Sequence, residues 1–178
     1  TTDFSPEAIQ RSLQETVADP SQPVAARMHT LLMLAALDQA HDRAEAAQAK
    51  YELLLSYYQK KRRPALQTVV LLQLGELCQR RQRLPAARAL YEQALTPAAA
   101  AQVPVCTALL AKNLGDLAEA EQRHADAAVY YQAWHRLACL LGDPEGAQLA
   151  HTKLTAAQHR SASAAAPRKP HPCPESAR

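Results

Sequence analysis

The sequence is poor in the residues that build sheets and tight loops. Its 178 residues include four Gly, one Phe, one Trp, one Ile (Ile9) and one Asn (Asn113). β-Branched and aromatic side chains are scarce while Ala, Leu and Gln are abundant, which disfavours strands and favours helices. So few glycines leave little material for hairpin turns or phosphate-cradling loops, and most nucleotide-binding folds become poor fits. The four cysteines, Cys78, Cys106, Cys139 and Cys173, form no CxxC pair, and three lie in apolar helical runs. Reduced Cys behaves there as a small hydrophobe, which reads as an intracellular, reducing compartment such as the cytoplasm. Charge of neither sign dominates: 20 Lys and Arg against 17 Asp and Glu give +3, too balanced to argue for nucleic acid on its own. There is no long apolar run either. The longest uncharged stretch, Gln93 to Ala111, is Ala-rich and broken by Pro97 and Pro104, so it is no membrane span. No secretory signal is visible, and the start at Thr1 leaves a processed or truncated N-terminus open. G-x-S-x-G, HExxH and P-loop signatures are absent, so the sequence implies no enzyme and no cofactor.

What the chain does have is an internal period. Leu34, Leu74, Leu114 and Leu154 lie 40 residues apart, followed by Ala35, Gly75, Gly115 and Thr155. Ala47, Ala87 and Ala127 keep the same spacing, and so do Tyr51, Tyr91 and Tyr131. Ala and Tyr at i, i+4 share one helix face. The small residue of the Leu-small pair lets two helices approach, and the Tyr fills space against the next unit. Each unit is then a helix hairpin that buries its apolar face only by stacking on its neighbours.

Helix signals agree with that register. Ser5-Pro6-Glu7 reads as an N-cap, a Pro at the first position and an acid in the first turn, with Phe4 placed to staple onto the stripe Ile9, Leu13 and Val17. The spacing predicts helices over 5–18, 23–40, 44–60, 64–81, 85–96, up to 122 from Pro104, 125–141 and 145–160. Residues 97–104 read as a connector, and Gly142-Asp143-Pro144 as a stop followed by a Pro start. The units are 25–61, 65–101 and 105–141, inside one domain of residues 1–160. From Ser161 the composition turns to Ala, Ser and Pro with Arg168 and Lys169, which predicts a disordered basic tail over 161–178.

Leu74-Gly75, Cys78, Ala87, Tyr91, Ala94-Leu95 and Pro97 resemble a tetratricopeptide repeat (TPR). Leu114-Gly115-Asp116, Ala118, Ala127 and Tyr131 repeat the pattern, and Leu34-Ala35, Asp38, Ala47, Tyr51 and Leu54-Leu55 do so more loosely. The resemblance covers about residues 25–160. The period is similar to that of the longer-repeat class seen in G-protein-signalling modulators and kinesin light chains. Trp134 departs from the pattern, standing where a small Ala is usual. The resemblance implies an all-α, right-handed superhelical solenoid of antiparallel hairpins, about eight helices in all. It also implies a non-catalytic scaffold or adaptor that holds an extended or helical segment of a partner protein in a concave groove. By that resemblance Gln73, Glu76, Asn113 and Asp116 face the groove, joined by Arg80 and Lys112. Side-chain amides can satisfy the C=O and N–H of a bound backbone, and the two cations can read acidic side chains or a terminal carboxylate. Leu32 and Ala36 stand where the clamp of chaperone-binding members needs Lys and Asn, which argues against chaperone C-termini.

Other chemistries carry less. His135 and Cys139 at i, i+4 could share a metal, but nothing clusters with them in sequence, so no metal site is assigned. Lys60-Lys61-Arg62-Arg63 falls at a helix C-terminus, where cations suit the macrodipole. With Arg80, Arg81, Arg83 and Arg88 it could form a basic ridge, but no aromatic residues interleave to stack bases, Tyr57-Tyr58 being the one exception nearby. Nucleic acid is therefore the weaker partner. A rival reading is a structural subunit packed permanently in a complex through its convex or end surfaces, and self-association through the array ends stays open.

Overall fold

The computed structural model describes residues 5–165; Phe4 and the tail from residue 166 lie outside the described residues. Among those residues there are eight helices and no strand: α1 (Pro6–Ala18), α2 (Val24–Ala40), α3 (Ala44–Lys60), α4 (Pro64–Arg80), α5 (Leu84–Ala101), α6 (Pro104–Ala120), α7 (His124–Leu141) and α8 (Pro144–Ala165). Each packs chiefly on its neighbours in sequence. The result is a helical solenoid of three hairpins, α2–α3, α4–α5 and α6–α7, flanked by α1 and α8.

Turn chemistry sets the period. A left-handed residue recurs every 20 positions: Asp42, Arg62, Gln82, Gln102, Gln122 and Gly142. At most of them the next N–H reaches back to a carbonyl in the last helical turn, as in Arg43 to Asp38, Arg63 to Tyr58, Arg83 to Cys78 and Arg123 to Ala118. These are Schellman closures, and only Gly142 meets the left-handed backbone without steric cost. Pro64, Pro104 and Pro144 each begin the helix that follows an inter-unit turn. Ser5 caps α1 by accepting from the Ala8 N–H at 3.2 Å, and the Asp143 carboxylate accepts from the Gly146 N–H at 2.9 Å ahead of α8.

Two boundaries differ from the sequence reading. Helix α5 runs through Pro97 to Ala101, where a connector is expected. Pro97 lies in the last part of the helix, so it removes one backbone donor, and the alanines after it are strong helix formers that keep α5 in step with α7. Helix α8 continues to Ala165, five residues past residue 160, because Ser161 to Ala165 contain no breaker.

The core is the repeated set. Ala47, Ala87 and Ala127 are fully buried, as are Tyr51 and Tyr91, with Tyr131 nearly so. Gly75 and Gly115 lie against the rings of Tyr91 and Tyr131, so close that a Cβ at Gly75 would sit 2.3 Å from Tyr91 Cε1. The hydroxyls sort by this contact. Tyr91 donates to Gln79 at 3.1 Å and Tyr131 to Asp116 at 2.8 Å, each on the first helix of its own unit. In the first unit the small residue is Ala35, and Tyr51 donates instead to Gln73 on α4 of the next unit, at 3.4 Å. Trp134 is accommodated in the third unit at 6.4 Å from the Tyr131 ring. No described helix is long and apolar enough to cross a membrane.

Candidate functional site

Helices α4 and α6 are the first helices of successive units, and the period places their residues 72–80 and 112–120 in matching register. Five of the six residues selected from the sequence line one recess of about 390 Å³ there: Glu76, Arg80, Lys112, Asn113 and Asp116, joined by Gln79. Gln73 is not among its lining residues; its side-chain oxygen is taken by Tyr51.

The charges in the recess are unequally satisfied. Asp116 Oδ1 accepts from Tyr131 and from Lys153 Nζ at 2.5 Å, and Oδ2 lies 3.7 Å from Lys112 Nζ. The Lys153 ammonium also sits 5.5 Å above the Tyr131 ring. Asp116 thus ties α6 to α7 and α8, and the expected Lys112–Asp116 pair is present but long. Burial pushes the Glu76 carboxyl above its ordinary pKa, opposed by the Arg80 and Lys112 cations and by Asn113. Among the described residues Arg80 makes no ion pair, and Lys112 makes only the long one. Asn113 is 8% exposed, and its Nδ2 is buried without a hydrogen bond of good geometry. Burial pushes the Tyr91 hydroxyl far above its ordinary pKa, and that of Tyr51 up to about 12. These tyrosines are neutral donors near neutral pH. Chemically, the recess offers two weakly engaged cations and a nearly buried amide beside a carboxylate that burial disfavours.

Three participants escape the sequence reading: Gln79, Lys153 and Arg160. The period could have found all of them. Lys153 stands 40 residues after Asn113, Arg160 stands 80 after Arg80, and Gln79 precedes Glu119 by 40. Arg160 pairs with Glu119, which also accepts from His124 at 2.6 Å. The terminal helix α8 is thereby part of the same polar surface.

The other candidates separate. His135 Nε2 lies 3.9 Å from Cys139 Sγ, and among the described residues no group of three His, Cys, Asp or Glu could hold a metal ion. The basic clusters behave differently from each other. Arg81 pairs with Glu45 at 2.5 Å and Arg88 with Glu121, whereas none of Lys60, Lys61, Arg62 and Arg63 has an ion pair among the described residues.

Paired helices on a 40-residue period, with a small residue packed against a buried Tyr in each unit, define a tetratricopeptide-type helical solenoid. Solved structures share this fold. The chain is similar to BtubC (BKLC) from P. vanneervenii, with a TM-score of 0.65 and 21% identity over 88% of this chain and 75% of that one. It is also similar to PilF of Pseudomonas aeruginosa, with a TM-score of 0.58 and 17% identity over 89% of this chain and 74% of that one. No protein-family model and no curated protein matches the sequence.

Proposed function

We propose that the protein is a non-catalytic adaptor that binds an extended or helical segment of a partner protein along the groove formed by α2, α4, α6 and α8. The observation that carries this is the recess itself, where Arg80 makes no ion pair among the described residues, Lys112 makes only a long one, and the nearly buried Asn113 amide lies beside them. A bound backbone carbonyl or carboxylate would give the two cations and the amide an acceptor. Asp116 serves the scaffold in this reading, holding Lys153 and Tyr131, while Arg80, Lys112 and Asn113 meet the partner. Affinity would come from many modest contacts, offset by the ordering of the bound segment.

The test is affinity capture with wild type and Lys112→Ala/Asn113→Ala in parallel, with circular dichroism confirming that the variant is folded. A partner recovered by wild type and lost by the folded variant supports the groove. The same partner recovered by both moves the interface to the convex or end surfaces, as expected of a structural subunit.

A further inference from the structure

The inter-unit junction of the first hairpin differs from the later ones, and the difference builds a pocket. Its walls are Tyr57, Tyr58, Lys61 and Arg63 from the end of the first unit, His29 and Ala25 from α2, and Leu66 from α4; it encloses about 270 Å³. The period shows how unusual this is. Forty residues after Tyr57, Tyr58, Lys61 and Arg63 stand Pro97, Ala98, Ala101 and Val103; eighty residues after them stand Leu137, Ala138, Leu141 and Asp143. Packing at this junction therefore needs neither aromatics nor cations. The two tyrosine rings meet edge to face, with centroids 5.5 Å apart.

The polar groups at this pocket are donors left unspent. Among the described residues Lys61 and Arg63 have no ion pair. Tyr58 is 4% exposed, and its hydroxyl makes no hydrogen bond to any described residue. Helices α2 and α4 both begin here, at Val24 and Pro64, and neither has a side-chain cap. Pro64 has no N–H, and the Arg27 and Gln67 N–H groups donate to the Pro23 and Arg63 carbonyls, so the N–H groups of Val24, Ala25, Ala26, Ala65 and Leu66 are the ones with no intrahelical acceptor at the positive ends of the two macrodipoles. The opposing carbonyls at the end of α3 are occupied: Tyr57 accepts from the Lys61 N–H, and Tyr58 accepts from the Arg63 N–H and from Gln67 Nε2. No carboxylate or amide side chain lines the pocket.

We infer that this pocket binds an aryl phosphate: a ring-sized apolar body lying against Tyr57, Tyr58 and Leu66, with its dianion held by Lys61, Arg63 and the Tyr58 hydroxyl. The size agrees, because a dry cavity of about 150 Å³ already admits benzene. Two cations and bidentate guanidinium geometry suit a phosphate better than a single carboxylate. The inference is independent of the groove, which lies on other residues.

The ligand is either a phosphotyrosine side chain or a free aryl phosphate. The experiment is NMR titration of the full chain, following His29 and the tyrosine ring resonances. The probes are phenyl phosphate, an amidated acetyl-phosphotyrosine and inorganic phosphate. The expected result is saturable shifts with both aryl phosphates, binding at least tenfold weaker for inorganic phosphate, and at least a tenfold loss in Lys61→Gln/Arg63→Gln. Arg136→Gln on α7 should leave binding unchanged. Tighter binding of the phosphotyrosine assigns a phosphorylated side chain; equal or weaker binding assigns a free aryl phosphate. Inorganic phosphate binding as tightly as phenyl phosphate overturns the inference, and so does an unchanged affinity in the folded double variant. The absence of any saturable shift overturns it as well.

Discussion

Substituting Gly75 by Ala sets two physical effects against each other, and the structure says which wins. Helix propensity alone favours Ala by about 1 kcal/mol in a helix interior. The new Cβ, however, would lie 2.3, 2.6 and 2.8 Å from Cε1, Cδ1 and Cζ of Tyr91, whereas carbon pairs prefer about 3.5–4.0 Å. Tyr91 is fully buried, so its ring can move only by displacing neighbours, and overpacking of this kind costs about 1–3 kcal/mol. The hydroxyl bond to Gln79 would be lost with the shift, a further loss of about 1 kcal/mol. The net expectation is a destabilisation of about 1–3 kcal/mol, or a Tm lower by about 2–4 °C per kcal/mol in a chain of this size. The first unit indicates where the ring would go. With Ala35 in the small position, the Tyr51 hydroxyl reaches Gln73 of the next unit; the residue 40 positions after Gln73 is Asn113. Gly75→Ala should therefore turn Tyr91 from Gln79 further toward Asn113, with which its hydroxyl already interacts. Gly115→Ala should cost less, because its Cβ would meet Tyr131 at 2.6 Å or more. The assay is thermal and urea unfolding of both variants, with Gly75→Ala/Tyr91→Leu closing a double-mutant cycle. If Gly75→Ala raises the Tm, or the cycle shows no coupling, then propensity governs this position and the proposed role of the small residue is wrong.

Three more outcomes follow from single sites. Asp38 is nearly buried and holds Arg43 Nε at 2.8 Å and Lys50 Nζ at 2.5 Å, so Asp38→Ala should cost about 1.5–3 kcal/mol in urea unfolding; a loss that disappears in high salt would mean the pair is a screened surface contact. Gln122→Gly removes a left-handed strain, at φ 61°, of about 1–2 kcal/mol and adds unfolded-state entropy of about 0.4–1 kcal/mol, so a modest rise in Tm is expected and a fall would refute the strain argument. The folded-state pKa of Glu76 is raised, so the unfolded chain releases this proton first, and stability declines as pH rises from the ordinary carboxylate range through the folded value. Glu76→Gln should accordingly stabilise at neutral pH by an amount that vanishes in acid below the ordinary Glu pKa; stabilisation persisting at that acid pH would show that the effect is not ionisation.

The solenoid was legible because stacked hairpins repeat one packing problem. Leu, small residue, Ala and Tyr recur at fixed positions, and a recurring side chain can be read without knowing its contacts. The end of α5 was not legible, because a proline normally stops a helix and only the neighbouring helices keep Pro97 inside one. The recess was found from register, and five of its six lining residues were named in advance. Gln73 stands apart from the recess, its side-chain oxygen accepting from the Tyr51 hydroxyl of the preceding unit, a contact between units that register alone does not show. Lys153 and Arg160 were overlooked because the period was followed into α8 only at the apolar and small positions Leu154 and Thr155 and not at the polar ones.

That contrast separates scaffold from specificity in this chain. Residues that obey the period are answered by the packing: the tyrosines and the small residues beneath them are buried and bonded in each unit. Residues that break the period have no packing reason to be where they are. Asn113 stands between Gln73 and Lys153 in register, and its Nδ2 is one of three buried side-chain atoms, with Gln39 Oε1 and Arg88 Nε, that have no hydrogen bond of good geometry among the described residues. Tyr57, Tyr58, Lys61 and Arg63 stand where later units have Pro, Ala, Leu, Val and Asp. Asp38 is the instructive exception, since Cys78 and Ala118 replace it in the other units, yet Arg43 and Lys50 answer its charge within the same hairpin. A departure from the repeat is therefore a candidate for recognition where neither packing nor pairing accounts for it, and on that ground we propose the Asn113 recess and the tyrosine pocket.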